Sequence, residues 1–169
     1  MTAESKTGSW KALDIIIAIL AVAMVAYQLL STQYLLQTTT GHKNTHLGLA
    51  LLLVYLTATK SARRLWPLML LAALLSVASV GYVHIFQDGL QERVGFPTNI
   101  DMVIGLMLIV LVLEGTRRSF GPVLPLICSL AVAYAFLGHL IPGPLHSPDF
   151  SFGQIISRLS IGLDGIYGL

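Results

Sequence analysis

One cysteine in 169 residues, Cys128 inside an apolar run, excludes an internal disulfide framework and a cysteine metal cluster. Charge is scarce as well. Only 11% of residues are Asp, Glu, Lys or Arg, against roughly 25% in an ordinary soluble domain, so the chain lacks the charged surface that a water-facing fold carries. The formal net charge of +2 comes from scattered basic residues, which excludes a nucleic-acid surface. There is no glycine-rich phosphate loop and no serine-centred nucleophile motif. No charged residue falls at the midpoint of an apolar run, so nothing reads as a proton relay, a voltage sensor or a buried catalytic acid.

What the sequence has is hydrocarbon. Hydrophobic residues make up 55% of the chain and its mean hydropathy is +0.78. The apolar residues come in long runs and not at the 3.6-residue spacing of one-sided helices, so each helix is greasy on every face. The fold class expected is an all-α, polytopic integral membrane protein. Lys6 and Lys11 precede the first run in the manner of a signal peptide, but residues 13–36 are long and lack a small-x-small cleavage site. The segment reads as an uncleaved first span.

A helix needs about 20 residues to cross about 30 Å of hydrocarbon, and by that ruler five spans are expected. They cover residues 13–30, 45–59, 66–86, 101–114 and 122–141. The second is short and needs the snorkelling stem of Lys60 to match the bilayer. Trp66 suits an interface and Pro67 suits a first helical turn, where the missing amide costs nothing. With the N-terminus in the cytoplasm, inside segments hold Lys6, Lys11, Lys60, Arg63, Arg64, Arg117 and Arg118, whereas outside segments hold Lys43, Arg93 and Arg158. Basic residues accumulate in short cytoplasmic loops, so this imbalance supports both orientation and count.

Several residues invite a chemical reading. His42 and His46 are four apart, a spacing that can place two metal ligands on one helix face. No third ligand is near in sequence, and the stretch from Thr38 to Asn44 reads as a loop entering the second span. Glu114 stands three and four residues before Arg117 and Arg118, so the acid and the bases can pair on one helix face while the bases complement the helix C-terminus. Asp101, with Thr98 and Asn99, offers acceptors for the free amides at the start of the fourth span, and Asp14 sits similarly at the first. These four residues, Asp101, Glu114, Arg117 and Arg118, are the structural and anchoring candidates. His84, Gln87 and His139 read as polar residues near the outer ends of spans, and His146 falls on the same outer side. The small pairs Ala72 with Ser76 and Ser129 with Ala133 permit close helix approach.

From Glu92-Arg93-Val94-Gly95-Phe96-Pro97-Thr98-Asn99-Ile100-Asp101 to Leu113-Glu114-Gly115-Thr116-Arg117-Arg118-Ser119-Phe120-Gly121, the chain resembles a known family. It is similar to the N-terminal part of the fused membrane permease of tripartite ATP-independent periplasmic (TRAP) transporters, in the subfamily paired with TAXI-type binding proteins. Tyr27-Gln28, His46-Leu47, Leu124-Pro125, Tyr134, Gly138, Pro142-Gly143, His146 and Ser160-Ile161-Gly162-Leu163-Asp164-Gly165-Ile166-Tyr167-Gly168 also fit, so the resemblance covers residues 27–169, most specifically 93–121.

The resemblance implies a multi-pass protein of the bacterial inner membrane that is not an enzyme and needs no cofactor. Residues 1–148 would form a small-subunit-like scaffold with a connecting span, and residues 149–169 the start of a large transport part that the family continues well beyond Leu169. The implied partners are a large permease subunit or domain, a periplasmic TAXI-type solute-binding protein and the lipid bilayer. Transport would be of organic acids or similar solutes, driven by a sodium or proton gradient. The scaffold role carries over; no catalytic, cofactor-binding or metal-binding residue does. The alternatives are a truncated, inactive permease fragment and, on the five histidines alone, a histidine-dependent membrane enzyme.

Overall fold

The computed structural model describes residues 3–34, 37–61, 64–162 and 165–168, with side chains from residue 11 onward. Lys6, Arg63, Leu163, Asp164 and Leu169 of the sequence reading lie outside the described side chains. The described residues are all-helical, without strands. In chain order the helices are α1 (Ala3–Gln33), α2 (Thr39–Ser61), α3 (Trp66–Ile85), α4 (Gln87–Glu92), α5 (Asn99–Phe120), α6 (Val123–Leu137) and α7 (Phe152–Ser160), with a short 3-10 turn at Gly138–Leu140.

Four stretches are long and apolar enough to cross a membrane: Lys11–Gln33, Trp66–Ile85, Asn99–Phe120 and Val123–Leu140. They match the first, third, fourth and fifth spans of the sequence reading. The second span corresponds to α2, which has 23 residues and the length to cross, but whose composition leaves it outside that set. The physical reason is at its ends, where His42, Lys43, Asn44, His46 and Lys60 dilute the apolar centre. The helix also starts earlier than expected. Residues 39–44, read as loop, are helical, because the Thr38 hydroxyl accepts the Gly41 N–H at 3.1 Å and opens the first turn.

The chain divides into two compact units, Met1–Ala78 and Ser79–Leu169, with the boundary inside α3. In the first unit α1 packs along α2. Polar contacts pin the pair at both ends: Lys60 Nζ donates to Asp14 Oδ1 at one, and Gln28 Nε2 donates to His46 Nδ1 at the other. Asp14 is early in α1 and Lys60 late in α2, so the two helices run antiparallel. No residue in the most apolar stretch of α1 is buried within the chain.

In the second unit α5 is the central helix, in contact with α6 and α7. Its buried residues, Asp101, Gly105, Leu108, Ile109, Leu111 and Gly115, recur at three- and four-residue steps and form one stripe. Two of them are glycines, which let a neighbouring backbone come close; in lipid, where apolar burial supplies no driving force between helices, such close packing is what holds them together. At Gly105 an added Cβ would overlap the Ser160 Oγ and lie 3.1 Å from Ser160 Cβ and 3.2 Å from Ile156 Cγ2. Of the Ala72 and Ser76 pair, Ser76 is fully buried, and its hydroxyl donates to the Ala72 carbonyl of its own helix at 2.8 Å. Ser129 and Ala133 are exposed.

α5 ends where Gly121 adopts φ 82°, a left-handed region that favours glycine, and donates its N–H to the Arg117 carbonyl at 3.1 Å. Pro122 follows, so the link to α6 is two residues long. Past α6 the chain folds back on itself: Tyr134 OH donates to the Leu145 carbonyl at 2.9 Å, and the Ser147 N–H to the Gly138 carbonyl at 3.1 Å.

Candidate functional site

The charged side chains of α5 gather at its two ends, each built by local chemistry. At the N-terminal end Thr98 is the cap residue and Asp101 the third helical position, three residues apart as a reciprocal capping box requires. The Asp101 N–H donates to Thr98 Oγ1 at 3.3 Å, and the Thr98 N–H donates to Asp101 Oδ2 at 2.9 Å. The other carboxylate oxygen accepts the Tyr82 hydroxyl at 2.6 Å. Asp101 is completely buried, and Arg93 Nε approaches Oδ2 at 3.6 Å, an ion pair too long for a hydrogen bond. That nitrogen is buried without a hydrogen-bond partner. Asp101 thus does the capping expected of it, and also ties the end of α3 to the start of α5 through a tyrosine 19 residues earlier.

The segment after residue 150 closes over this end. Its helix α7 starts with a second capping box, in which Gln154 N–H donates to Ser151 Oγ at 3.3 Å and Ser151 N–H donates to Gln154 Oε1 at 2.9 Å. Ile155, Ile156, Ser157 and Ser160 are buried on one face. The Gly95 N–H donates to Ser157 Oγ at 2.8 Å, and Gln91 Nε2 to the Ile161 carbonyl at 3.0 Å. Gly95 has φ 95°, and the turn it makes aims its N–H at α7. Tyr167 is 2% exposed, and burial pushes its phenol above the ordinary range.

At the C-terminal end of α5, Arg117 grips Glu114 with Nε on Oε2 at 2.6 Å and Nη2 on Oε1 at 2.8 Å. Arg118 Nε adds a third bond to Oε1 at 2.7 Å. The spacing of three and four residues predicted both pairs, and the structure brings all three charges together on one helix face.

The histidines are spread out. His42 and His46 lie on α2, but each turns Nδ1 to α1: His42 Nδ1 is 3.1 Å from the Tyr27 hydroxyl, with the rings stacked at 5.2 Å, and His46 accepts from Gln28. Gln37 joins them, accepting from the Tyr27 hydroxyl at 3.3 Å and from Thr45 Oγ1 at 3.0 Å. His84 is exposed at the end of α3, His139 is 3.8 Å from Asp149, and the His146 backbone N–H donates to Gly143. Among the described residues no three His, Cys, Asp or Glu side chains come together as a metal site.

Sequence reasoning missed Tyr82 and α7. The serine and glutamine at 151 and 154, followed by two isoleucines, carried a readable helix-start pattern for the second. Tyr82 carried none. No protein-family model, curated protein or solved structure matches the chain.

Proposed function

We propose that the chain is the membrane scaffold component of a TRAP-type secondary transporter of the TAXI subfamily, multi-pass in a bacterial inner membrane with its N-terminus in the cytoplasm. The reading starts from the resemblance over residues 93–121, and one structural observation supports it. The helices able to cross a membrane keep their charged side chains, Lys11, Asp14, Asp101, Glu114, Arg117 and Arg118, toward their ends, while large apolar residues along their length stay uncovered. Ile19, Val22, Leu74, Val103, Leu126 and Leu130 are all more than half exposed. A helix set with this distribution can anchor and widen a permease in lipid, and it offers no midplane charge or broken helix at which a solute or coupling ion would bind.

In this mechanism a larger partner carries organic acids or similar solutes across, supplied by a periplasmic binding protein and driven by an ion gradient. The span set would include α2, its polar ends reaching both interfaces. Residues 149–169 would belong with the transport part. Affinity purification of the chain from its native membrane in mild detergent, with mass spectrometry of what accompanies it, tests the reading. Recovery of a large polytopic permease subunit is expected. Saturable solute uptake by this chain alone in liposomes, with no such subunit recovered, would overturn it.

A further inference from the structure

The triad at the end of α5 has more positive charge than it neutralises. Two guanidiniums face one carboxylate, leaving a net charge of +1 (2 − 1), held in a fixed arrangement by the three hydrogen bonds described. Those bonds use Arg117 Nε and Nη2 and Arg118 Nε, so Arg117 Nη1 and both Nη groups of Arg118 meet no acceptor among the described residues. Glu114 therefore acts as a brace for two planar forks, that of Arg117 52% exposed and that of Arg118 largely covered at 18%.

The position of the triad narrows what those donors can meet. Arg118 is 17 residues after Asp101, about 26 Å along the helix, close to the thickness of the hydrocarbon layer. With the Asp101 cap at one boundary of the bilayer, the guanidiniums reach the other. The surface around them is apolar: Val110 on α5, Phe120 at its end, and Val123 and Leu124 at the start of α6 are 56%, 76%, 67% and 45% exposed. A ligand for this place must bring an anion to the arginines and hydrocarbon to the side chains beside them.

We propose that Arg117 and Arg118, braced by Glu114, form a binding site for the phosphodiester headgroup of an anionic phospholipid, its acyl chains lying on the apolar faces of α5 and α6. Planar guanidiniums match phosphate oxygens two at a time, and a compact helix-end fork costs little ordering on binding. Free phosphate has the same anionic chemistry, but it has no apolar part to match the flanking residues. The proposal rests on the membrane-spanning fold and not on the transporter assignment, so either can fail without the other.

The test uses the full chain purified in detergent, titrated with phosphatidylglycerol or with phosphatidylcholine and read by native mass spectrometry. Phosphatidylglycerol is expected to be retained in preference. The R117Q/R118Q variant should weaken its retention roughly twenty-five-fold, about five-fold for each arginine. The R117K/R118K variant keeps the positive charge but loses the planar forks, so it should retain the lipid better than the glutamine variant and less well than the unsubstituted chain. Equal retention of phosphatidylcholine, an unchanged R117Q/R118Q variant, or a lysine variant equal either to the unsubstituted chain or to the glutamine variant would overturn the proposal. Displacement of the lipid by inorganic phosphate would reassign the site to a free anion. A crosslink in native membranes from position 117 to an acidic residue of another polypeptide would replace the lipid with a protein partner.

Discussion

Replacing Gly105 by alanine should loosen α7 without harming the helix in which the change is made. The new methyl would overlap Ser160 Oγ and stand 3.1 Å from Ser160 Cβ and 3.2 Å from Ile156 Cγ2, closer than the roughly 3.5 Å at which carbon atoms rest. Ser160 cannot simply turn away, since its hydroxyl is buried and donates to the Ile156 carbonyl at 2.7 Å. The remaining escape is for α7 to retreat by a few tenths of an ångström along its contact with α5. Overpacking of this kind costs about 1–3 kcal/mol. Alanine is also the better helix former, by about 1 kcal/mol, but that gain belongs to α5 and does nothing for the docking of α7. The two effects are therefore separable by hydrogen exchange of the detergent-solubilised chain. Amides of α7 should exchange roughly 5- to 150-fold faster, while those in the middle of α5 stay as protected as before or become more so. Adding Ser160→Gly should recover much of the protection, a non-additivity expected only of residues in contact. If α7 exchanges at an unchanged rate in the Gly105→Ala chain, the close approach of the two helices is not what holds that segment.

Other consequences can be checked in the same preparation. Thr98→Ala removes the cap acceptor of α5 and should cost about 1 kcal/mol, whereas Asp101→Asn unbalances a buried group with two donors aimed at it and should cost about 1–3 kcal/mol; thermal unfolding in detergent should rank them in that order. Asp14→Asn, which removes the exposed partner of Lys60, should move the midpoint little, under about 1 kcal/mol, and a large loss would show the pair to be less solvated than its exposure indicates. The buried phenol of Tyr167 titrates above its ordinary range, so the stability it contributes is intact below about pH 10 and fades as pH rises through the higher folded value. In an alkaline titration followed by tyrosinate absorbance, Tyr167 should fall in a late-titrating fraction of the six tyrosines, and that fraction should shrink by one residue in Tyr167→Phe; simultaneous titration of all six would contradict the burial argument.

The contacts legible in the sequence are those made within one helical turn. Glu114 reaches Arg117 and Arg118, and Thr98 reaches Asp101, because residues three and four apart face the same way whatever surrounds them. Long apolar runs were readable for the same reason, since a membrane helix satisfies its own backbone. What escaped needed a distant partner. Gly41 and Asn44 suggest a loop when read locally, but α2 extends through them while Tyr27, Gln28 and Gln37 bond to His42, His46 and Thr45 beside them. Tyr82 gains its role only when α5 brings Asp101 to it. The role of Gly105 is invisible until α7, a third of the chain later, places Ser160 against it.

The two-residue link at Gly121 and Pro122 bears on how the protein enters its membrane. α6 contains no charged residue, whereas α5 must bring one buried aspartate and the three charges of the triad to the bilayer's edges. On scales for insertion during synthesis such residues disfavour entry, though less near the ends of a helix than at its centre. So short a tether leaves little room for α5 to wait in water while α6 settles in lipid. The pair should leave the insertion machinery as a single hairpin, the charge-free arm drawing in the charged one, so that shortening α6 would be felt first as failed insertion of its neighbour.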